Sequence, residues 1–179
     1  VITESGSGYS SAPTCTITGT NTTAAVLDST TPVVITTQGT KINNKDVYTS
    51  YYESGTGIFG PWAAKYPGKL GNSLRVEMCD AGGYSTWAHK GEFISAPGTS
   101  DYAKAQNTNA ADEVHIVVLD EDGLWTGIKN AVLEKFAFLS KASDARRTDG
   151  SNQYYKDVIN TTSKYIWWVS HPTNSTLLG

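Results

Sequence analysis

The most constraining feature of this chain is how short its apolar stretches are. The strongest is Ile116-Val117-Val118-Leu119, inside the segment Val114–Leu119. No run approaches the ~18 apolar residues of a membrane span. β-Branched residues dominate the run, so it reads as a strand, the clearest one in the sequence. A chain built from such pieces must bury many short elements rather than a few long helices. Its composition agrees. Apolar residues make up 39% of 179 positions, and Thr, Ser, Asn and Gly, which favour turns and strand edges, are abundant. This length suits one domain, or one domain and part of another. The chain opens at Val1 rather than methionine, which suggests a cut or processed piece.

Other elements follow from local pattern. Thr14–Thr18 and Pro32–Thr37 read as two short strands in a turn-rich opening. Asp46 is placed to cap a helix through Ser54, ended by Gly55 and Gly57. Leu74–Cys79 alternates as a strand, with Leu74, Val76 and Met78 on one side. Residues 80–112 read as a long excursion. After Val114–Leu119, Asp122-Gly123 supplies a hairpin turn. Residues 132–140 fit a helix face or a strand by periodicity. Ser151 or Asn152 is placed to cap a helix through Ile159. Tyr165–Val169 reads as a final buried strand with Trp167 and Trp168 on opposite faces, and residues after His171-Pro172 read as a linker.

Charge and motifs narrow the function. Net charge is −3, from 14 basic and 17 acidic residues, and the only arginines are Arg75, Arg146 and Arg147. A nucleic-acid grip needs a basic face that this chain lacks. Cys15 and Cys79 fit no zinc or redox spacing and are read as structural or unpaired. The sequons at Asn21, Asn160 and Asn174 matter only in a secretory pathway. His89, His115 and His171 fall in a loop, a strand and a turn, without metal-ligand spacing, and His115 is read as a plain sheet position. Asp120-Glu121-Asp122-Gly123 is part of a calcium-loop pattern without its distant glutamate, and a solvated hairpin turn explains it better. Gly60–Lys69 has the wrong spacing for a phosphate loop, with Leu70 where Ser or Thr is required. Cys79-Asp80 with His89 has no motif context for a thiol nucleophile. No residue is therefore assigned a catalytic, cofactor-binding or metal role, and the chain is not expected to be an enzyme.

The aromatic content stands out, with five Trp and ten Tyr. Trp62, Trp87 and Trp125 lie near turns, where they would stack on sugar rings or bury area in a thin core or at a subunit contact. These tryptophans motivate one alternative, a secreted carbohydrate-binding β module; a second alternative is a hydrolase drawing acidic residues from separate strands.

Several phrases, in order, resemble the contractile tail sheath protein of T-even-type bacteriophages (myoviruses). These are Ala64–Val76, with Tyr66-Pro67-Gly68 and Gly71-Asn72; Glu113–Gly123; Val132–Phe136 with Leu139-Ser140; Tyr154–Asn160; and Ser163–Trp168. The resemblance spans residues 58–79 and 113–170, and it makes residues 132–140 a strand. It implies an α+β fold, mostly antiparallel sheet with a few short helices. Residues 1–45 would be part of a small β-rich inserted domain and residues 46–179 an outer sheath domain. It further implies a structural role in the virion. Hexameric rings of subunits stack around the tail tube and contract to drive it through the host envelope for genome ejection. The partners would be other sheath subunits, with tube and baseplate contacts lying outside this stretch, and no nucleic acid, membrane or cofactor. Assembly would take place in the host cytoplasm, and the chain alone would be monomeric.

Overall fold

The computed structural model describes residues 41–55 and 60–172. They belong to the larger of two units, which covers residues 37–179. The strands expected at 14–18 and 32–37, Cys15, the sequons at Asn21 and Asn174, and most of the segment expected over 1–45 lie outside the described residues.

The fold is α+β, with two antiparallel sheets and short helices. In chain order the elements are α1 (Lys45–Tyr51), β1 (Trp62–Ala64), α2 (Lys69–Asn72), β2 (Leu74–Cys79), α3 (Asp101–Ala105), β3 (Glu113–Asp120), β4 (Ala131–Ser140), α4 (Tyr155–Thr162) and β5 (Ile166–Trp168). One sheet has the order β2-β3-β4, and the other pairs β1 with β5.

β3 is the centre of the molecule. Val114, Ile116, Val117, Val118 and Leu119 are all fully buried. A strand covered on both faces reads as continuous apolar sequence rather than alternation, which explains its run. Its even positions, Val114, Ile116 and Val118, join the main core with Met78, Leu139, Tyr155, Ile159, Ile166 and Trp168. Each such side chain contributes about 1.5–3 kcal/mol by leaving water. α4 supplies Tyr155 and Ile159 at i, i+4 spacing, with Val158 beside them. Asn160 Oδ1 accepts from the Trp168 N–H at 2.8 Å, which ties α4 to β5.

β5 divides two cores. Trp168 enters the main one, while Trp167 joins Ile42, Tyr48 and Val169 in a smaller one. The opposite-face reading of the pair therefore holds. Trp167 stacks on Tyr48 at 4.8 Å, and the Tyr48 hydroxyl donates to the Trp168 carbonyl at 2.6 Å. Gly55, at φ 88°, passes so close that an added Cβ would lie 2.9 Å from the Trp168 ring.

Several local expectations are corrected. Asn44, not Asp46, caps α1, accepting from the Val47 N–H at 2.9 Å, and the helix stops at Tyr51. Neither Ser151 nor Asn152 is the cap of α4, which starts at Tyr155. Asn152 instead accepts from the Tyr154 N–H and donates to Asp157. The excursion over 80–112 contains two single-turn 3₁₀ helices and α3. Asp122-Gly123 does not close a tight hairpin. Residues 121–130 form a longer loop wrapped around Asp120, described below. Residues 132–140 are strand, as the resemblance implied.

Candidate interaction surface

A groove of about 640 Å³ lies between the two sheets, bordered by Trp62 and Ala64 of β1 and by Leu74 and Val76 of β2. β1 pairs only with β5, and β2 only with β3, among the described residues. The groove therefore runs along two sheet edges. Gly71 makes the corner between them, because an added Cβ would lie 2.1 Å from the Tyr66 carbonyl oxygen. The rim is aromatic. Trp125 meets Tyr66 and Tyr165 edge-on at 4.9 and 5.0 Å, and its indole N–H donates to the Leu70 carbonyl at 2.9 Å. Tyr66 lines the groove and remains exposed, and Leu70 of α2 and Leu124 of the loop are also exposed. An apolar rim of this kind suits contact with another protein surface.

The buried polar groups serve the fold. Asp120 is fully buried. One carboxylate oxygen accepts from Ser73 Oγ at 2.7 Å. The other accepts from the Trp125 N–H, the Thr126 N–H and Thr126 Oγ1 at 2.8–2.9 Å. Burial pushes the carboxyl up, but these hydrogen bonds outweigh it and hold the pKa at about 2. The acidic run is therefore not simply a solvated turn: Asp120 organises the loop while Glu121 and Asp122 face solvent.

At the other end of β3, Asp112 accepts from the Ser100 N–H, Ser100 Oγ and Ser140 Oγ. Burial again opposes ionisation, and these bonds again win, lowering its pKa. Asp80 and Asp112 both favour the charge of the nearby Lys141, whose pKa burial lowers. Asp112 and Asp120 stand eight strand positions apart, roughly 26 Å at 3.3 Å per residue. That is far beyond the ~5–9.5 Å of a glycosidase carboxylate pair.

The structure does not bring the three histidines together. His115 is buried against Phe93 and Phe138, and His89 lies 3.8 Å from Glu77. His171 Nδ1 is hydrogen-bonded to the Tyr155 hydroxyl, which accepts from the Trp168 indole N–H. The Cys79 thiol is buried, donates to the Asp80 carbonyl and has its pKa pushed up to about 11, chiefly by burial, so it is a poor nucleophile. Among the described residues, no group of three His, Cys, Asp or Glu is arranged to hold a metal ion. None of their helices is long and apolar enough to cross a membrane.

Trp62 and Trp125 both lie beside the groove, while Trp87 lies apart. Trp62 meets Tyr155 edge-on at 6.2 Å. Trp87 stacks on Phe93 and donates to Glu77 Oε2 at 2.7 Å. Trp125 belongs to the groove rim. The groove itself went unseen in the sequence. Its only signal was the Tyr66–Asn72 phrase, in which Gly71 marks a close backbone approach and Gly68 a positive φ.

Comparison with known proteins gives one informative likeness. Over 71 residues the chain is 34% identical to the tail sheath protein of Salmonella phage ViI. The match covers 40% of this chain and 9% of that protein, so the chain corresponds to a small part of that relative's length. No family model matches.

Proposed function

We propose that this chain is a structural part of a phage tail sheath subunit, of the contractile kind found in T-even-type phages. The observation that carries this reading is the 34% identity over 71 residues to a tail sheath protein. The ordered phrases that resemble sheath proteins support it. The physical character of the molecule is compatible with it: its buried carboxylates are engaged in fixing loops, and its open surface is an aromatic-rimmed groove rather than a converging set of reactive groups.

In this role the chain performs no catalysis. Its work is to present a stiff surface within stacked rings of subunits. Contraction would then be a switch between two packings of such rings, driving the tube through the host envelope. The partners are other sheath subunits, and contacts with tube and baseplate belong to polypeptide outside these 179 residues. The chain by itself is a monomer, its place is the virion, and assembly occurs in the host cytoplasm.

Mass spectrometry of purified tails, separated from heads and fibres, tests this. Peptides of this chain are expected as a major tail component. Their absence from tails, or their confinement to the fibre fraction, would overturn the reading.

A further inference from the structure

His115 makes two hydrogen bonds that together require one protonation state. Its Nδ1 accepts from the Phe138 N–H at 3.1 Å, and its Nε2 lies 2.9 Å from the Ser95 carbonyl. A carbonyl only accepts, so Nε2 carries the hydrogen and Nδ1 must be bare. The ring is therefore the neutral Nε2–H tautomer. Adding a proton at Nδ1 sets N–H against N–H.

Both partners are unusual. Phe138 lies at φ 53° in a β-bulge, where the pairing slips between Val114–Leu139 and Ile116–Phe136. Such a backbone is strained for a bulky residue and must be held in place. His115 holds its N–H, and Gln153 donates to its carbonyl at 2.9 Å. Ser95 belongs to the excursion after β2. There, Phe93 stacks on the imidazole at 4.1 Å, nearly parallel, and Trp87 stacks on Phe93. Tyr84 packs at the imidazole edge.

Residues 84–96 meet the β2-β3-β4 sheet through side chains. Besides His115, the contacts are Trp87 to Glu77, His89 near Glu77, and Lys135 to Glu92. A segment held this way can open without breaking the sheet ladder.

We propose that residues 84–96 form a flap latched by neutral His115 and released when that ring is protonated. Burial lowers the pKa of His115 and outweighs the opposing pull of the Ser95 carbonyl and of Glu113 on its own strand. The other titratable neighbours are Tyr84 on the flap and Cys79 opposite on β2. Neither becomes charged on acidification. Opening in acid therefore tracks His115.

The test is an NMR pH titration of the 179-residue chain from pH 7.5 to 4, following the imidazole nitrogens and the backbone amides. At pH 7.5 the His115 nitrogens should report the Nε2–H tautomer. Below pH 6.5, His115 and the amides of Phe93 and Ser95 should shift with one midpoint, while amides of Ile116–Val118 and Ile159 stay fixed. Past that midpoint the closed-to-open ratio should fall about tenfold per pH unit. In His115→Gln, whose amide can both accept and donate without titrating, the flap should stay closed over the same range. The wild-type titration carries the test if that variant does not fold. Three outcomes would overturn the proposal: the Nδ1–H tautomer, flap amides that move only with His89, or flap and sheet amides that move only together.

Discussion

At the scale of single residues, the molecule relies on buried polar groups that each fix more than one segment. Asp112 joins the start of α3, through Ser100, to the end of β4, through Ser140. Truncating it to Ala strips three hydrogen bonds from a buried site. Bonds to a charged group contribute about 1.5–3 kcal/mol each, and the lost ones leave both serines short of a partner. Asp112→Ala should therefore lower stability by about 3 kcal/mol, read as a shifted urea midpoint with unchanged slope. Acid acts on the same class of groups. The folded pKa of Asp120 is about 2, below the ~3.9 of an unfolded aspartate. Its contribution is present above pH ~3.9 and is lost as pH falls through about 2. The histidines act earlier. His115 and His171 have lowered folded pKa values, so the unfolded chain takes up their protons first. Stability should begin to fall below pH ~6.5, by up to about 1.4 kcal/mol per unit for the buried His115. Thermal melts between pH 7.5 and 5 would show a falling midpoint. A flat profile over that range would contradict it.

At the scale of elements, β5 and the corner at Gly71 carry the most. Trp168 is almost fully buried, and its indole N–H bonds to Tyr155. Trp168→Ala should cost about 3–5 kcal/mol, as large core truncations do. Gly71→Ala should cost about 1–3 kcal/mol, because the new methyl group forces α2 away from the Tyr66 carbonyl. Denaturant unfolding of both variants checks these values. Sequence reading succeeded where period and burial coincide. β2 announces itself by alternation, β3 and the Tyr165–Val169 segment by β-branched and aromatic runs, and the tryptophan pair by strand alternation. It failed where a side chain outside the element decides. Asn44, not Asp46, caps α1, and choosing between two cap formers two positions apart needs the chain's path. The hairpin signal at Asp122-Gly123 was overridden because the Asp120 carboxylate draws in Trp125 and Thr126. β1 is too short to show a period, so the groove beside it was illegible. The buried role of His115 was hidden because its partners, Ser95 and Phe138, are 20 and 23 positions away.

At the scale of the whole molecule, the described residues form two cores joined through β5, with an aromatic-rimmed groove between two sheet edges. Among these residues, Arg75 Nε is the buried side-chain nitrogen or oxygen atom that lacks a partner, while the same guanidinium reaches Glu77, Glu121 and Asn130. On the proposed sheath role, the exposed Tyr66 and Leu70 offer apolar area to a neighbouring subunit, so Tyr66→Ser with Leu70→Ser should leave the melting midpoint within a few degrees yet reduce sheath assembly. Negative-stain counts of sheathed tails would read this. The most direct measurement is immunogold electron microscopy of the phage particles with antibodies raised to this chain. Gold is expected along the whole length of the tail, in both extended and contracted particles. Gold confined to the tail tip or fibres, or absent from every particle, would contradict the sheath role.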